Sequence, residues 1–244
     1  MSRKINPFVF RLGVIENWRS RWFSPKQYKH FLREDYFLRD FVYQKFRKMG
    51  LEKIEITRSA HKLTVSIFTS RPGLIIGKGG GGVEALKNEL EKKYDAIKID
   101  PKAKVDLRVQ IEEISKPDSH AQIVAQQVAD QIEKRLPFRR VLKQSLAKTL
   151  QNKEVKGAKI KLSGRLGGSE MSRVEWLGKG KIPLQTLRAN VDFAKANAYC
   201  TYGVIGVKVW IYKGEVFNDN LKIKMQNDSV KCKNYRRFAA IPKF

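Results

Sequence analysis

Gly77, Lys78, Gly79 and Gly80 join three residues without a Cβ to one primary ammonium. Backbone of this kind can approach a sugar–phosphate chain closely, and Lys78 adds charge where the phosphates would lie. Behind the loop, Val83, Leu86, Leu90 and Tyr94 recur at helical spacing, so a helix N-terminus adds free N–H groups that favour an anion. Two other phosphate loops fail on their residues. A triphosphate loop needs G-x-x-x-x-G-K followed by Ser or Thr, whereas Pro72 stands at the first glycine and Gly79 at the hydroxyl. The dinucleotide pattern G-x-G-x-x-G matches at Gly77, Gly79 and Gly82, but four consecutive glycines make that match almost free. The alternating strand in front of it also suits a half-exposed sheet, not a doubly wound one.

A second cationic set lies in Phe138-Arg139-Arg140-Val141-Leu142-Lys143. With the apolar residues turned inward, Arg139, Arg140 and Lys143 leave the remaining arc of one helix as a single strip, with no acid at i+4 of the arginine pair. Arg165 sits in Ser163-Gly164-Arg165-Leu166-Gly167-Gly168, which reads either as a hairpin loop or as a second close approach to RNA backbone. Lys4 and Arg11, in a basic and aromatic N-terminal arm, complete the candidate RNA-binding residues. Trp176 and Trp210 read as core or sheet-face packing.

No catalytic set is present. Glu112 and Glu113 are adjacent on a strand and point to opposite faces. His30, His61 and His120 have no Cys or acidic neighbour at ligand spacing, so no metal and no cofactor is expected. Cys200 falls in an apparent strand and Cys232 in a basic tail, so no structural disulfide is expected and a reducing compartment fits.

The 244 residues carry 50 Lys+Arg against 24 Asp+Glu, a formal charge of +26. Self-repulsion on that scale points to a polyanionic partner, nucleic acid before an anionic membrane. No run reaches the roughly 20 apolar residues of a membrane span, and no secretory signal is visible.

The elements divide the chain into an arm over residues 1–24, a first domain over 25–115, a second over 116–213 and a basic tail over 214–244. Ser24-Pro25 starts a helix carrying Leu38, Phe41, Val42, Phe46 and Met49, and Gly50 stops it. Strands follow around Ile54 and Ile56, then over Leu63, Val65 and Ile67; the glycine loop and its helix lead to a strand through Val105, Leu107, Val109 and Ile111. Helix, strand, strand, short helix, glycine loop, helix, strand resembles the prokaryotic, type II arrangement of the KH fold. After Lys116-Pro117-Asp118, a stripe of Val124, Val128, Ile132 and Leu136 forms a helix ended by Pro137, and a second helix follows. Strand signals at 157–163, 172–177, 198–203 and 205–212 complete an α+β second domain, two helices on a four-stranded, mostly antiparallel sheet.

The chain resembles the third-protein family of the small ribosomal subunit, in its bacterial or organellar form. The resemblance rests on Asn6-Pro7, Phe10-Arg11-Leu12-Gly13, Arg71-Pro72-Gly73, Ile76-Gly77-Lys78 and Phe138-Arg139-Arg140. It extends through the 163–168 loop, Pro183-Leu184, Thr186-Leu187-Arg188-Ala189 and residues 201–211. It implies a non-enzymatic component of the small-subunit head, in a cytoplasmic or organellar ribosome. The implied partners are ribosomal RNA, messenger RNA and neighbouring head proteins, with no membrane. It further implies that Arg139, Arg140 and Lys143 face incoming messenger and assist its unwinding. Gly79 stands where the family often has a second lysine, and Val9 where it often has glycine. A free-standing KH-type regulator of RNA is the alternative; the long second domain and tail speak against it.

Overall fold

The computed structural model describes residues 4–59, 62–97 and 105–217, and for Lys78 the backbone alone. His61, Cys232 and the tail from 218 onward lie outside the described residues. Two sheets, each with its own apolar core, are joined by the arm and by a polar interface.

The arm holds a one-turn helix, α1 (Pro7–Phe10), and a two-residue strand, β1 (Ser20–Arg21). Helix α2 (Tyr28–Phe46) buries Leu38, Val42 and Phe46, the periodic residues of the sequence, and Gly50 takes the left-handed conformation that stops it. Strands β2 (Leu51–Arg58) and β3 (Lys62–Thr69) pair antiparallel, and α3 (Pro72–Ile76) and α4 (Gly81–Ile97) flank the glycine loop. Strand β4 (Asp106–Glu113) then pairs parallel to β3, giving the order β1-β2-β3-β4. Ile56, Val65, Ile67, Leu86, Leu90 and Leu107 meet the α2 stripe in one core. This is the expected KH arrangement.

Helix α5 (Ala121–Glu133) and helix α6 (Phe138–Gln151) cover one face of an antiparallel sheet of order β6-β5-β8-β7. Its strands are β5 (Gly157–Gly164), β6 (Arg173–Gly180), β7 (Ala189–Cys200) and β8 (Gly203–Glu215). Val124, Val128, Ile132, Val141, Leu142 and Leu146 pack on Ile160, Leu162, Val207, Val209 and Ile211. Boundaries differ from the sequence reading: α2 begins at Tyr28 rather than at Ser24-Pro25, and two more differences fall in this half. The strand expected at 198–203 runs from Ala189, because Ala194, Ala196 and Ala198 supply a buried alternation of small residues that carries little apolar signal. Helix α5 ends before Pro137: Arg135 takes a φ of 61°, and Leu136 is exposed rather than part of the stripe.

The arm packs within the chain itself. Arg11 is 1% exposed, and its guanidinium donates to five carbonyl oxygens: Ala189 at 2.5 Å, Pro7 at 3.0 Å, and Pro183, Leu184 and Thr186 at 3.3, 3.2 and 3.0 Å. That ties the arm to the loop before β7. Farther along, β1 pairs parallel with β2, and Ser20 Oγ and Trp22 Nε1 both donate to Asp35 at 2.7 Å. Asp35 also pairs with Arg58, which reaches Glu34 as well, in a buried acid–base cluster. The arm is therefore a strap holding both halves.

Further contacts complete the interface. Arg47 donates to Asn197 O at 2.8 Å, Gln122 to Tyr43 Oη at 2.8 Å, and His120 Nδ1 lies 2.6 Å from Glu52 Oε1. The histidine expected to stand alone thus has an acidic partner 68 residues away. Burial alone would push the Glu52 carboxyl up. The hydrogen bond and charge of His120, with Lys53 and Lys213, outweigh that and hold it below the usual range.

Two outcomes follow from these contacts. Arg11→Ala leaves five carbonyls without their donor and should destabilise the protein by about 3 kcal/mol or more, with Arg11→Lys recovering less than half because an ammonium lacks the planar fork. Denaturant unfolding with hydrogen exchange over residues 183–189 measures both. A depressed folded pKa for Glu52 contributes stability above the unfolded value of about 4.3, and that contribution is lost as pH falls through the folded value. The difference in melting temperature between the wild type and Glu52→Gln should therefore shrink as the pH falls below the unfolded value of about 4.3; a difference that stays constant there would refute the linkage.

Candidate nucleic-acid interface

Pro72 opens α3, and Gly77 closes it with a φ of 69°, its N–H bonded to Gly73 O. Residues Lys78–Gly80 form a tight turn in which Gly79 and Gly80 also have positive φ, at 62° and 83°. A Cβ on Gly82 would lie 2.4 Å from Ile75 O and 2.8 Å from Ile76 O, so the first turn of α4 is packed backbone to backbone against the end of α3. Gly81 faces open space. The four consecutive glycines therefore split by role: Gly79 and Gly80 allow the turn, and Gly82 allows the close packing that presents it. Ile75 anchors the loop in the core while Leu74 and Ile76 stay exposed beside it.

Arg139, Arg140 and Lys143 are all exposed on α6, and Arg139 keeps 74% of its side-chain surface. Val141, Leu142, Ser145 and Leu146 on the opposite side are buried, so the sequence periodicity sets the direction of the strip. Phe138 and both arginines occupy the first turn of α6, which contains no acid. Two cations thus sit at the positive end of a helix dipole, an arrangement costing about 0.3–1 kcal/mol per charge unless an anion offsets it. Glu175 on β6 approaches Arg139 only to 4.0 Å, with both groups substantially exposed, and so contributes little.

The fold adds groups that spacing along one helix could not reveal. Arg173, at the start of β6, stacks on the Phe138 ring at 5.4 Å, on which Arg139 also rests at 5.8 Å. Gly167 passes about one atomic contact from the same ring. Arg165 donates from Nε to Ser169 O at 2.9 Å, and its guanidinium lies 5.5 Å over the exposed ring of Tyr202. The 163–168 loop and the α6 strip therefore share one neighbourhood around Phe138. Lys4 is exposed. Arg11 is not: its hydrogen-bonding groups are spent on carbonyl oxygens inside the chain, which corrects its place among the RNA-contacting candidates.

The glycine loop and the strip belong to different sheets. Between the halves runs a cleft lined by Lys48, Arg71, Lys134 and Lys148, with Asp118, Asp130 and Glu133 among them. No group of three or more His, Cys, Asp or Glu suited to a metal ion occurs among the described residues, and no helix among them is long and apolar enough to cross a membrane.

Replacing Gly81 by alanine should be neutral or stabilise by up to about 1 kcal/mol, as open space and the helical position allow. Gly82→Ala should destabilise and displace α3, because backbone oxygens cannot yield. Thermal melting of the two variants separates these effects.

Comparison with known proteins adds the lineage. The model of the family described as "KH domain" matches residues 38–119, and that of "Ribosomal protein S3, C-terminal domain" matches residues 128–211. The chain is 47% identical to the small ribosomal subunit protein uS3 of Desulfosudis oleivorans over 222 residues, covering 91% of this chain and 99% of the relative. It is 49% identical to that of Citrifermentans bemidjiense, over 89% and 99%. With that of Desulfitobacterium hafniense it shares 46% identity over 88% and 94%.

Proposed function

The chain belongs to the family of small ribosomal subunit protein uS3, in its bacterial type, and from that premise we propose that its α6 strip contacts messenger RNA at the channel through which messenger enters the subunit. The family is one of structural, non-enzymatic components of the small subunit. Ribosomal RNA of the head, neighbouring head proteins and a cytoplasmic ribosome complete the reading.

The observation that carries it is the first turn of α6. Arg139 and Arg140 project from a helix end that already repels cations, and among the described residues only Glu175 forms an ion pair with either, at the limiting distance. A phosphate chain passing this end meets two guanidinium forks, Lys143 one turn on, and free helix N–H groups. Such contacts hold single-stranded backbone without reading its sequence, which is what a channel accepting every message requires. Held strands re-pair less readily, so the same residues would favour the open side of a messenger hairpin. The glycine loop, with Gly77 and Gly79 exposed and Gly80 half-exposed, is a second contact to ribosomal RNA, supported by the close backbone approach that its glycines permit. Arg165 and Lys4 extend the footprint.

Arg139→Gln with Arg140→Gln should leave folding within about 0.5 kcal/mol of wild type, since both groups are exposed. Small subunits carrying the variant should assemble normally yet translate hairpin-bearing messengers several-fold more slowly, with unstructured messengers unaffected. Equal rates on both messenger types, with full incorporation, would overturn the reading.

A further inference from the structure

The sheet β6-β5-β8-β7 has helices on one face only. On the other face its register aligns Trp176, Lys161, Lys208 and Lys195 in one row across four strands, and Gly178, Lys159, Trp210 and Phe193 in the next. Neither row contains an Asp or Glu; Glu215, opposite Ala189 at the Leu184 end of the face, is paired with Arg188, and none of the four lysines forms an ion pair among the described residues. Like charges directly opposite on neighbouring strands repel, so three lysines abreast weaken the sheet in isolation. The aromatic groups are equally unusual. Trp176 is 59% exposed, with Lys159 Nζ 4.2 Å over its ring, and Trp210 meets Phe193 at 5.2 Å and 38°. Leu184 covers only the end of the face, near Val191 and Tyr212.

We propose that this open face binds a single-stranded RNA segment, its phosphates on the row Lys161, Lys208, Lys195 and its bases on Trp176 and the Trp210–Phe193 pair. Adjacent strands lie roughly 4.8 Å apart, so the row presents closely spaced charges across the sheet, as a nucleic-acid backbone does. The lysines form no ion pair among the described residues, although Lys195 lines a cleft with Asp40 and Glu52, and they lie beside the exposed Trp176 ring and the half-buried Trp210–Phe193 pair; that matches phosphates beside bases, and aromatic stacking accepts any base. An acidic protein segment would satisfy the lysines but leave the ring faces without a stacking partner. The face lies across the sheet from α6, so it is a site separate from the strip.

Fluorescence anisotropy of the full chain with a labelled uridine dodecamer, between about 50 and about 200 mM salt, tests this. Lys161→Gln, Lys195→Gln and Lys208→Gln together should make the slope of log affinity against log salt shallower by about 2, at about 0.7 for each lost phosphate contact. Trp176→Ala should weaken binding about fivefold or more with the slope retained. Made in the Arg139→Gln, Arg140→Gln background, the lysine changes should still make the slope shallower by about 2, as independent sites require. An unchanged slope in the triple variant, or unchanged affinity in Trp176→Ala, would overturn the proposal. So would polyglutamate competing as well as polyuridylate, which would assign the face to an acidic protein.

Discussion

The five carbonyl oxygens gathered on the Arg11 guanidinium fix how the two halves of this protein meet. Three of them belong to the loop before β7 and a fourth to Ala189, where that strand begins; of these only Thr186 O is given a second donor by a nearby turn or loop backbone bond, from the Ala189 N–H. A buried cation of this kind is tolerable only where acceptors surround it, and acceptors of this kind are tolerable only where a donor reaches them. The consequence runs along the arm. With Arg11 seated on the second half, the chain reaches β2 of the first half, and Ser20 and Trp22 close on Asp35. A short aperiodic segment thereby sets the relation between the glycine loop and the α6 strip.

The two sheets distribute charge by a common logic. Inside, charges are matched: Arg58 with Glu34 and Asp35, and Glu52 with His120. Outside, cations meet few acids: at the first turn of α6 only the distant Glu175 among the described residues, and within the two lysine and aromatic rows of the second sheet none. Such surfaces cost stability in the free protein and are offset only by a polyanion.

Both helical stripes and the glycine loop were legible in the sequence because burial periodicity and missing Cβ atoms are local signals. The direction of the α6 strip followed from the same periodicity. Arg11 was misread for a physical reason: a basic residue in an aromatic arm has one sequence signature whether it meets phosphate or backbone carbonyl. Four of its five acceptors lie more than 170 residues away, and all are main-chain atoms, which carry no side-chain identity. Arg173 was missed because its ring partner, Phe138, comes from another element. The lysine row depended on register across three strands, and the alanine alternation of β7 hid where the last of them began.

The account stands or falls on where the cations point in the assembled particle. A cryo-EM map of the small subunit containing this chain, with messenger bound, measures that directly. The account predicts RNA backbone within hydrogen-bond distance of Arg139, Arg140 and Lys143, with Arg11 turned inward on the loop before β7. A strip facing bulk solvent or packed against protein, with Arg11 released onto phosphate, would contradict it.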